Sequence, residues 1–304
     1  MRFTLLGTGT SSGVPAIGCT CAVCTSTDPK DNRLRSGAAV RFVDRSGKPR
    51  TVLIDATPDL RQQAIRFGID RCDAILFTHN HVDHTFGLDE VRRYNAMQQS
   101  PIDIYADEHT LSFLKGVFRY IFDRDKNVND SFVASLIPWT IKPGEPMDLW
   151  GLKVTPIKLL HGHLPILGFR LDGEGLKEQG SKGRRQPEIE KSDPDAVADG
   201  LVNPFPLAYC TDVSAIPPES WRALQGLGTL VIDGLRHRAH PTHFTVAQAL
   251  DVVERVRPRA AYLTHISHDL GHAATEAELP EGVHMGYDGL TLGDERGSEP
   301  AGLT

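Results

Sequence analysis

Short apolar runs, each bounded by Gly, Pro or polar residues, recur along the chain, and their lengths predict strands. They lie at Phe3-Thr4-Leu5-Leu6, at 38–43, at Thr51-Val52-Leu53-Ile54, at Ala74-Ile75-Leu76-Phe77, at 207–211, at 229–232 and at 260–264. Residues 152–171 read as two strands interrupted by His161-Gly162-His163-Leu164-Pro165. Helices fall between the runs. Thr57 is expected to cap one of them, with Pro58 at its first position and Gly68 closing it. Residues 86–97 look helical, and a further helix begins at Asp107, with Leu111, Leu114, Phe118 and Ile121 on one core-facing stripe. Another is expected near 218–225. Thr245 and Gln248 have capping-box spacing ahead of Val246, Ala249, Leu250 and Val253, and Pro258 stops that helix.

The stretch 173–203 breaks this pattern. Its seven acids and five bases, with few large apolar residues, predict a mobile surface insertion. A chain of 304 residues can bury a substantial core, and the whole of 1–304 is read as one domain carrying that insertion. Apolar residues at 40% and charged residues at 24% are ordinary for a soluble globular protein. A formal charge of −6 gives no reason to expect a broad nucleic-acid-binding surface. The amino terminus runs straight into a strand without a signal-peptide pattern, and no apolar run is long enough to span a bilayer. The expectation is a cytoplasmic protein without a membrane partner.

The densest chemistry follows the run 74–77. Thr78-His79-Asn80-His81-Val82-Asp83-His84 packs three imidazoles and a carboxylate into six residues. In an extended loop His79 and His81 point one way, while Asp83 and His84 turn to the other side. Two pairs suggest two metals, and imidazole with carboxylate suits zinc, manganese or iron. Further candidates stand at strand ends. Asp55, His79, His161, Asp212, Asp233 and His265 each follow the carboxyl end of a predicted strand within two residues, where loops of an α/β sheet converge over one crevice. Two cations about 3.5–4 Å apart need six or more ligands and favour a bridging carboxylate. Asp212 is the candidate bridge. His79, His81 and His161 would complete one site, and Asp83, His84 and His265 the other. His163 competes with His161, which is preferred because it comes first after the strand and Gly162 leaves room to turn.

Five cysteines is an odd number, and three of them crowd into Cys19-Thr20-Cys21-Ala22-Val23-Cys24, which favours metal ligation over disulfides. Cys72 and Cys210 read as core residues. Gly7-Thr8-Gly9-Thr10-Ser11-Ser12-Gly13 lacks the Lys-Ser/Thr ending of a nucleotide-binding loop and is read as a tight turn near the site.

The motif His79-x-His81-x-Asp83-His84, followed by His161, Asp212 and His265, resembles the metallo-β-lactamase superfamily. Within it the chain is most similar to the phosphoribosyl 1,2-cyclic phosphodiesterase family. That similarity rests on Gly7 to Pro15, on Cys19-x-Cys21-x-x-Cys24, on Leu263-Thr264-His265-Ile266-Ser267-His268 and on Gly286-Tyr287-Asp288-Gly289. The resemblance implies an αββα sandwich of two facing mixed sheets, with two divalent cations (zinc or manganese) at one edge. It also implies a structural zinc held by Cys19, Cys21, Cys24 and His268, a closed tetrahedral set.

The implied reaction is hydrolysis of a small cyclic or nucleotide-like phosphodiester by a hydroxide shared between the cations, with Asp83 as a catalytic residue. His243 resembles the histidine that protonates the leaving alkoxide in these enzymes, and His240 and His237 stand in reserve. Asp55, Asp59 and Asp288 are expected to orient ligand imidazoles. A homodimer is plausible from the relatives. Two other functions fit the same fold: an RNA 3′-end processing endonuclease using 173–203 as its arm, and a non-hydrolytic biosynthetic or redox protein. The acid excess in 173–203 counts against a phosphate-gripping arm.

Overall fold

A computed structural model describes residues 1–123, 132–173 and 203–293. Its strands form two seven-stranded sheets. The first contains β1 (Arg2–Gly7), β2 (Gly37–Val43), β3 (Pro49–Ile54), β4 (Ala74–Leu76), β5 (Ile102–Ala106), β6 (Leu136–Thr140) and β14 (Thr291–Leu292), in the order β14-β1-β2-β3-β4-β5-β6. The second contains β7 (Met147–Leu149), β8 (Leu152–His161), β9 (Leu164–Asp172), β10 (Leu207–Cys210), β11 (Thr229–Asp233), β12 (Ala260–Thr264) and β13 (Val283–Met285), in the order β13-β12-β11-β10-β9-β8-β7. Each sheet changes from antiparallel to parallel pairing part-way across, at β3 in the first and at β10 in the second.

Period-two alternation divides the strands between two environments. Val40, Val52 and Ile54 of the first sheet meet Phe169, Leu207, Tyr209, Val231 and Tyr262 of the second in a core between the sheets. The intervening residues face outwards. Ala39, Leu53 and Ile75 pack under α1 (Leu60–Arg66), α3 (Arg92–Gln98) and α4 (Glu108–Val117), while Ala208, Leu230 and Leu263 pack under α6 (Val246–Val256). The four layers are the αββα sandwich expected from the resemblance. No helix among the described residues is long and apolar enough to cross a membrane.

Most predicted elements stand where expected, with instructive shifts. The capping box of Thr245 and Gln248 is present in both directions, and Asp107 caps α4 by accepting from the Thr110 amide. Thr57 does not cap α1, which starts two residues after Pro58; its hydroxyl accepts from the Asp59 amide in a preceding turn. The segment 86–97 divides into a 3₁₀ turn (Leu88–Val91) followed by α3. The break expected over 161–165 shrinks to the turn Gly162-His163, because His161 still pairs with Leu164. Residues 174–202, nearly all of the proposed insertion, lie outside the described residues.

Candidate metal centre

The strand ends converge at the edge where β3, β4, β8, β10, β11 and β12 terminate. Three residues there, Asp55, Asp212 and His265, hold left-handed backbone with φ of 65°, 58° and 57°. L-residues adopt that conformation at a cost, with Asp and His less averse than β-branched residues. It turns the chain sharply off each strand and leaves the side chain buried in the rim. His79 arrives straight from β4. The loop after it is not extended throughout: α2 (Val82–Thr85) begins at Val82, with the Thr85 hydroxyl donating to the His81 carbonyl at 2.9 Å. Asp83 and His84 lie on this helical turn and His79 and His81 on the strand end and loop before it, so the two pairs fall in different groups of potential ligands.

Ligand atoms of His79, His81 and His161 lie within 4.8 Å of one another, and so do those of Asp83, His84, Asp212 and His265. Asp212 also belongs with His161 and His243 in a third such group, so its carboxylate faces both sets. One Asp212 oxygen, Oδ1, is 3.3 Å from His265 Nε2, and the other, Oδ2, is 3.2 Å from His84 Nε2. His84 Nε2 is also 3.3 Å from Asp83 Oδ2. All seven residues expected at the centre are thus together. His163 is exposed in the β8–β9 turn and joins none of these groups.

The imidazoles are aimed from behind. His84 Nδ1 donates to Asp55 Oδ2 at 2.7 Å, His161 Nδ1 to the Thr242 carbonyl at 2.8 Å, and His79 Nδ1 is 3.0 Å from the Thr78 hydroxyl. Each contact leaves Nε2 to face the centre, as second-sphere contacts do in metal sites. The Nε2 atoms of His79, His84 and His265 are buried and, apart from the carboxylate contacts above, have no hydrogen-bond partner among the described residues. Buried polar nitrogens without partners are rare, and a cation would satisfy all three.

The electrostatics agree. Burial holds His79 well below its usual value, so it is a neutral donor. Burial also works against charging His84 and His265, but the surrounding carboxylates, Asp212 foremost, reverse this, with His265 raised to about 9. Burial opposes ionisation of Asp212, and His265, His84 and His79 outweigh it, so Asp212 stays a carboxylate. A pocket that draws protons onto two imidazoles favours positive charge, which divalent ions supply more fully.

His243 lies beside the centre, its ring 4.6 Å from those of both His161 and His265. Its Nδ1 donates to Asp233 Oδ2 at 2.7 Å, and Asp233 is itself fixed by the Val213 amide at 2.9 Å. Asp233 thus orients His243, a role its strand-end position alone did not disclose. Burial, followed by the nearby His265, lowers His243 to about 4. Two expected orienting roles are corrected. Asp59 pairs with Arg35 at 2.9 Å, and Asp288 accepts from the Thr8 amide and hydroxyl and the Leu34 amide, so both hold the amino-terminal loops and neither holds an imidazole.

The cysteine knuckle forms a separate cluster. Cys19, Cys21 and Cys24 sulfurs lie 3.1, 3.5 and 3.4 Å from His268 Nδ1, edges suited to a tetrahedral shell about one zinc. The amide of Cys24 is the main reason that Cys21 falls to about 6, while burial pushes Cys24 up to about 11. His268 is three residues beyond His265, and buried Arg33 fixes the connecting loop. Its guanidinium donates to the carbonyls of Ser267 at 2.9 Å and Leu270 at 2.8 Å while pairing with Asp31. The glycine turn packs on the same loop: Thr8 accepts from the Ile266 amide, and a Cβ on Gly9 would stand 2.7 Å from the Arg33 carbonyl.

Comparison with known proteins agrees with this geometry. Residues 50–178 and 200–266 match the model of the β-lactamase superfamily domain. The crystal structure of a diphosphatase from the PhnP family is similar over 97% of this chain and 98% of its own, with 38% identity and a TM-score of 0.77. Zinc-bound PqqB from Methylobacterium extorquens shares the fold over 96% of this chain and 99% of its own, at 20% identity and a TM-score of 0.66. The octanoyltransferase of Porphyromonas gingivalis is 34% identical over 303 residues, covering 98% of this chain and 52% of that protein. The chain spans about half the length of the curated relatives it first matches.

Proposed function

Because the chain belongs to the metallo-β-lactamase superfamily and, within it, to the PhnP family, we propose that it hydrolyses a small phosphodiester with two divalent cations, zinc or manganese. The observation that carries the reading is the pair of ligand groups meeting at Asp212. His79, His81 and His161 would hold one cation, Asp83, His84 and His265 the other, and Asp212 both. When bound, the ions would lower the pKa of a shared water and take up charge on the phosphoryl oxygens.

The chain's own residues do the rest. Asp55, Thr78 and the Thr242 carbonyl fix three ligand imidazoles, so that the substrate meets a preformed centre. Asp233 holds Nδ1 of His243 and leaves the Nε2 lone pair facing the substrate, so that Nε2 would take up a proton released by the attacking water and pass it to the leaving alkoxide, a step typically worth about 10² to 10⁴ in rate. Cys19, Cys21, Cys24 and His268 would hold a structural zinc with no vacancy for substrate. Asp83→Ala should empty or weaken one catalytic site and abolish turnover of bis(p-nitrophenyl) phosphate while the chain stays folded. Unchanged turnover would remove Asp83 from the mechanism.

A second reading of the substrate is favoured by the P. gingivalis relative, named for octanoyl transfer and matched over half its length. Acyl groups are carried on phosphopantetheine arms joined to their carrier proteins by a phosphodiester, a disubstituted phosphoryl centre of the kind this site suits. Including a phosphopantetheinylated carrier protein in the substrate panel separates the readings: release of the arm at a rate above that of small diesters favours the second.

A further inference from the structure

Between β11 and α6 the chain forms one loop, closed by the bridge between Arg236 and Thr245 and fastened to the centre through the Thr242 carbonyl on His161. The outer part reads Arg236-His237-Arg238-Ala239-His240. Arg236 is engaged, 3.6 Å from Asp269 Oδ2 and donating from Nε to the Arg238 carbonyl at 3.2 Å. Arg238 is exposed, and its guanidinium has no partner among the described residues. His240 folds back over the site, its ring 5.0 Å from that of His243.

The tautomer of His240 follows from its contacts. Its Nδ1 accepts from the Thr242 amide at 3.4 Å and lies 3.2 Å from the Thr242 hydroxyl. An imidazole whose Nδ1 accepts carries its proton on Nε2. That N–H has no partner among the described residues, and no step derived above uses it. A single phosphoryl group is served by the cations and His243, whereas a second, one bridging oxygen away, would bring further negative charge to the mouth. Arginine's planar fork suits such an oxyanion, and a neutral N–H adds direction.

We propose that His240 and Arg238 form a second anion subsite, and that the substrate class is a diphosphate diester: the scissile phosphoryl at the metal centre and its neighbour on this loop. The assignment rests on the hydrolytic reading above. Water supplies the oxygen that bonds to phosphorus. The bridging P–O bond breaks, its electron pair leaves with the departing phosphomonoester, and the protons of the water pass to solvent or to the products. The loop then holds the charge that appears on the leaving phosphate.

The test uses the full chain loaded with manganese or zinc. ADP-ribose, a diphosphate diester, is compared with bis(p-nitrophenyl) phosphate in wild type, Arg238→Ala, His240→Ala and His240→Gln. The ratio of the two kcat/KM values should fall roughly tenfold in each alanine variant, through KM for ADP-ribose, as expected for losing a hydrogen bond to a charged group. His240→Gln should recover part of the loss, since its amide restores a donor. A ratio constant within about twofold in both alanine variants overturns the subsite. If wild type turns over neither compound, the hydrolytic reading fails and binding decides the subsite separately. α,β-Methylene-ADP titrated into the metal-loaded protein should then bind Arg238→Ala roughly fivefold more weakly than wild type, and equal affinity rejects the assignment.

Discussion

Replacing Asp55 by Asn tests how far the centre depends on a residue that touches no substrate. The Asp55 carboxylate is fully buried and only accepts: from the Thr78 amide at 2.8 Å, the Thr78 hydroxyl, and His84 Nδ1 at 2.7 Å. It thereby requires the His84 proton on Nδ1 and leaves a lone pair on Nε2 for a cation. In Asp55→Asn the amide oxygen can still serve Thr78, but the NH₂ then faces Nδ1. His84 must shift its proton to Nε2, which lies 3.2 Å from Asp212 and 3.3 Å from Asp83. Its lone pair is then lost to the metal.

Loss of such a partner costs about 10- to 100-fold in metal affinity, and a locked tautomer belongs at the upper end, about 2.7 kcal/mol. Competition with a chromophoric chelator measures this directly. One of the two catalytic equivalents should weaken by roughly that factor, while the metal-free variant melts close to wild type. Asp55→Ala should behave differently, since it strands the buried Thr78 amide and His84 Nδ1 at about 1–3 kcal/mol each, the Thr78 hydroxyl keeping its contact with His79, and lowers stability before metal is added. Wild-type affinity for both equivalents in Asp55→Asn would refute the tautomer argument.

Three other outcomes are expected. His243→Ala and Asp233→Asn should lose about 10²-fold or more in kcat on an alkyl diester, whose alkoxide needs a proton, and far less on bis(p-nitrophenyl) phosphate, whose phenolate does not; equal losses on the two substrates would deny His243 its role as proton donor. Cys21→Ser should release one zinc equivalent and cost several kcal/mol of stability, because structural zinc binding is worth on the order of 10 kcal/mol; an unaltered melting temperature and zinc content would contradict this. Glu276→Gln should destabilise in a pH window. The 2.8 Å contact with Glu276 raises His284, a gain present below about pH 6.5 and lost as pH rises through the raised value. Burial works against the Glu276 carboxylate, but His284 and the Met285 amide lower it overall, a gain lost as pH falls through its folded value. The variant should therefore differ most from wild type near about pH 5–6 in denaturant midpoints, by a small amount because the pair is partly exposed. A difference independent of pH would rule the pair out.

Part of the candidate centre was legible because four of its proposed ligands obey a rule visible in one dimension: each sits where a strand-forming run ends. His79, His161, Asp212 and His265 are far apart in sequence but share that context, and the parallel strands bring the context to one edge. Orientation was less readable. Asp233 also ends a strand, yet its role depends on a loop that returns His243 to it ten residues later, and the support for His161 is a Thr242 carbonyl, a group every residue possesses. Asp59 and Asp288 misled for a related reason: acids in turns are common, and only the folded chain shows that they bind amides and Arg35. The shifted start of α1 reflects a local competition in which the Thr57 hydroxyl satisfied a turn before the helix began.

Asp55, Asp212 and His265 carry a consequence beyond coordination. Their left-handed backbone is a conformation that glycine would adopt with less penalty, on the order of 1 kcal/mol at each position. A search for heat-resistant variants would therefore be drawn to the residues that chemistry can least spare. Selection for robustness alone would erode the catalyst from its rim inward, leaving an intact sandwich with nothing to grip an ion.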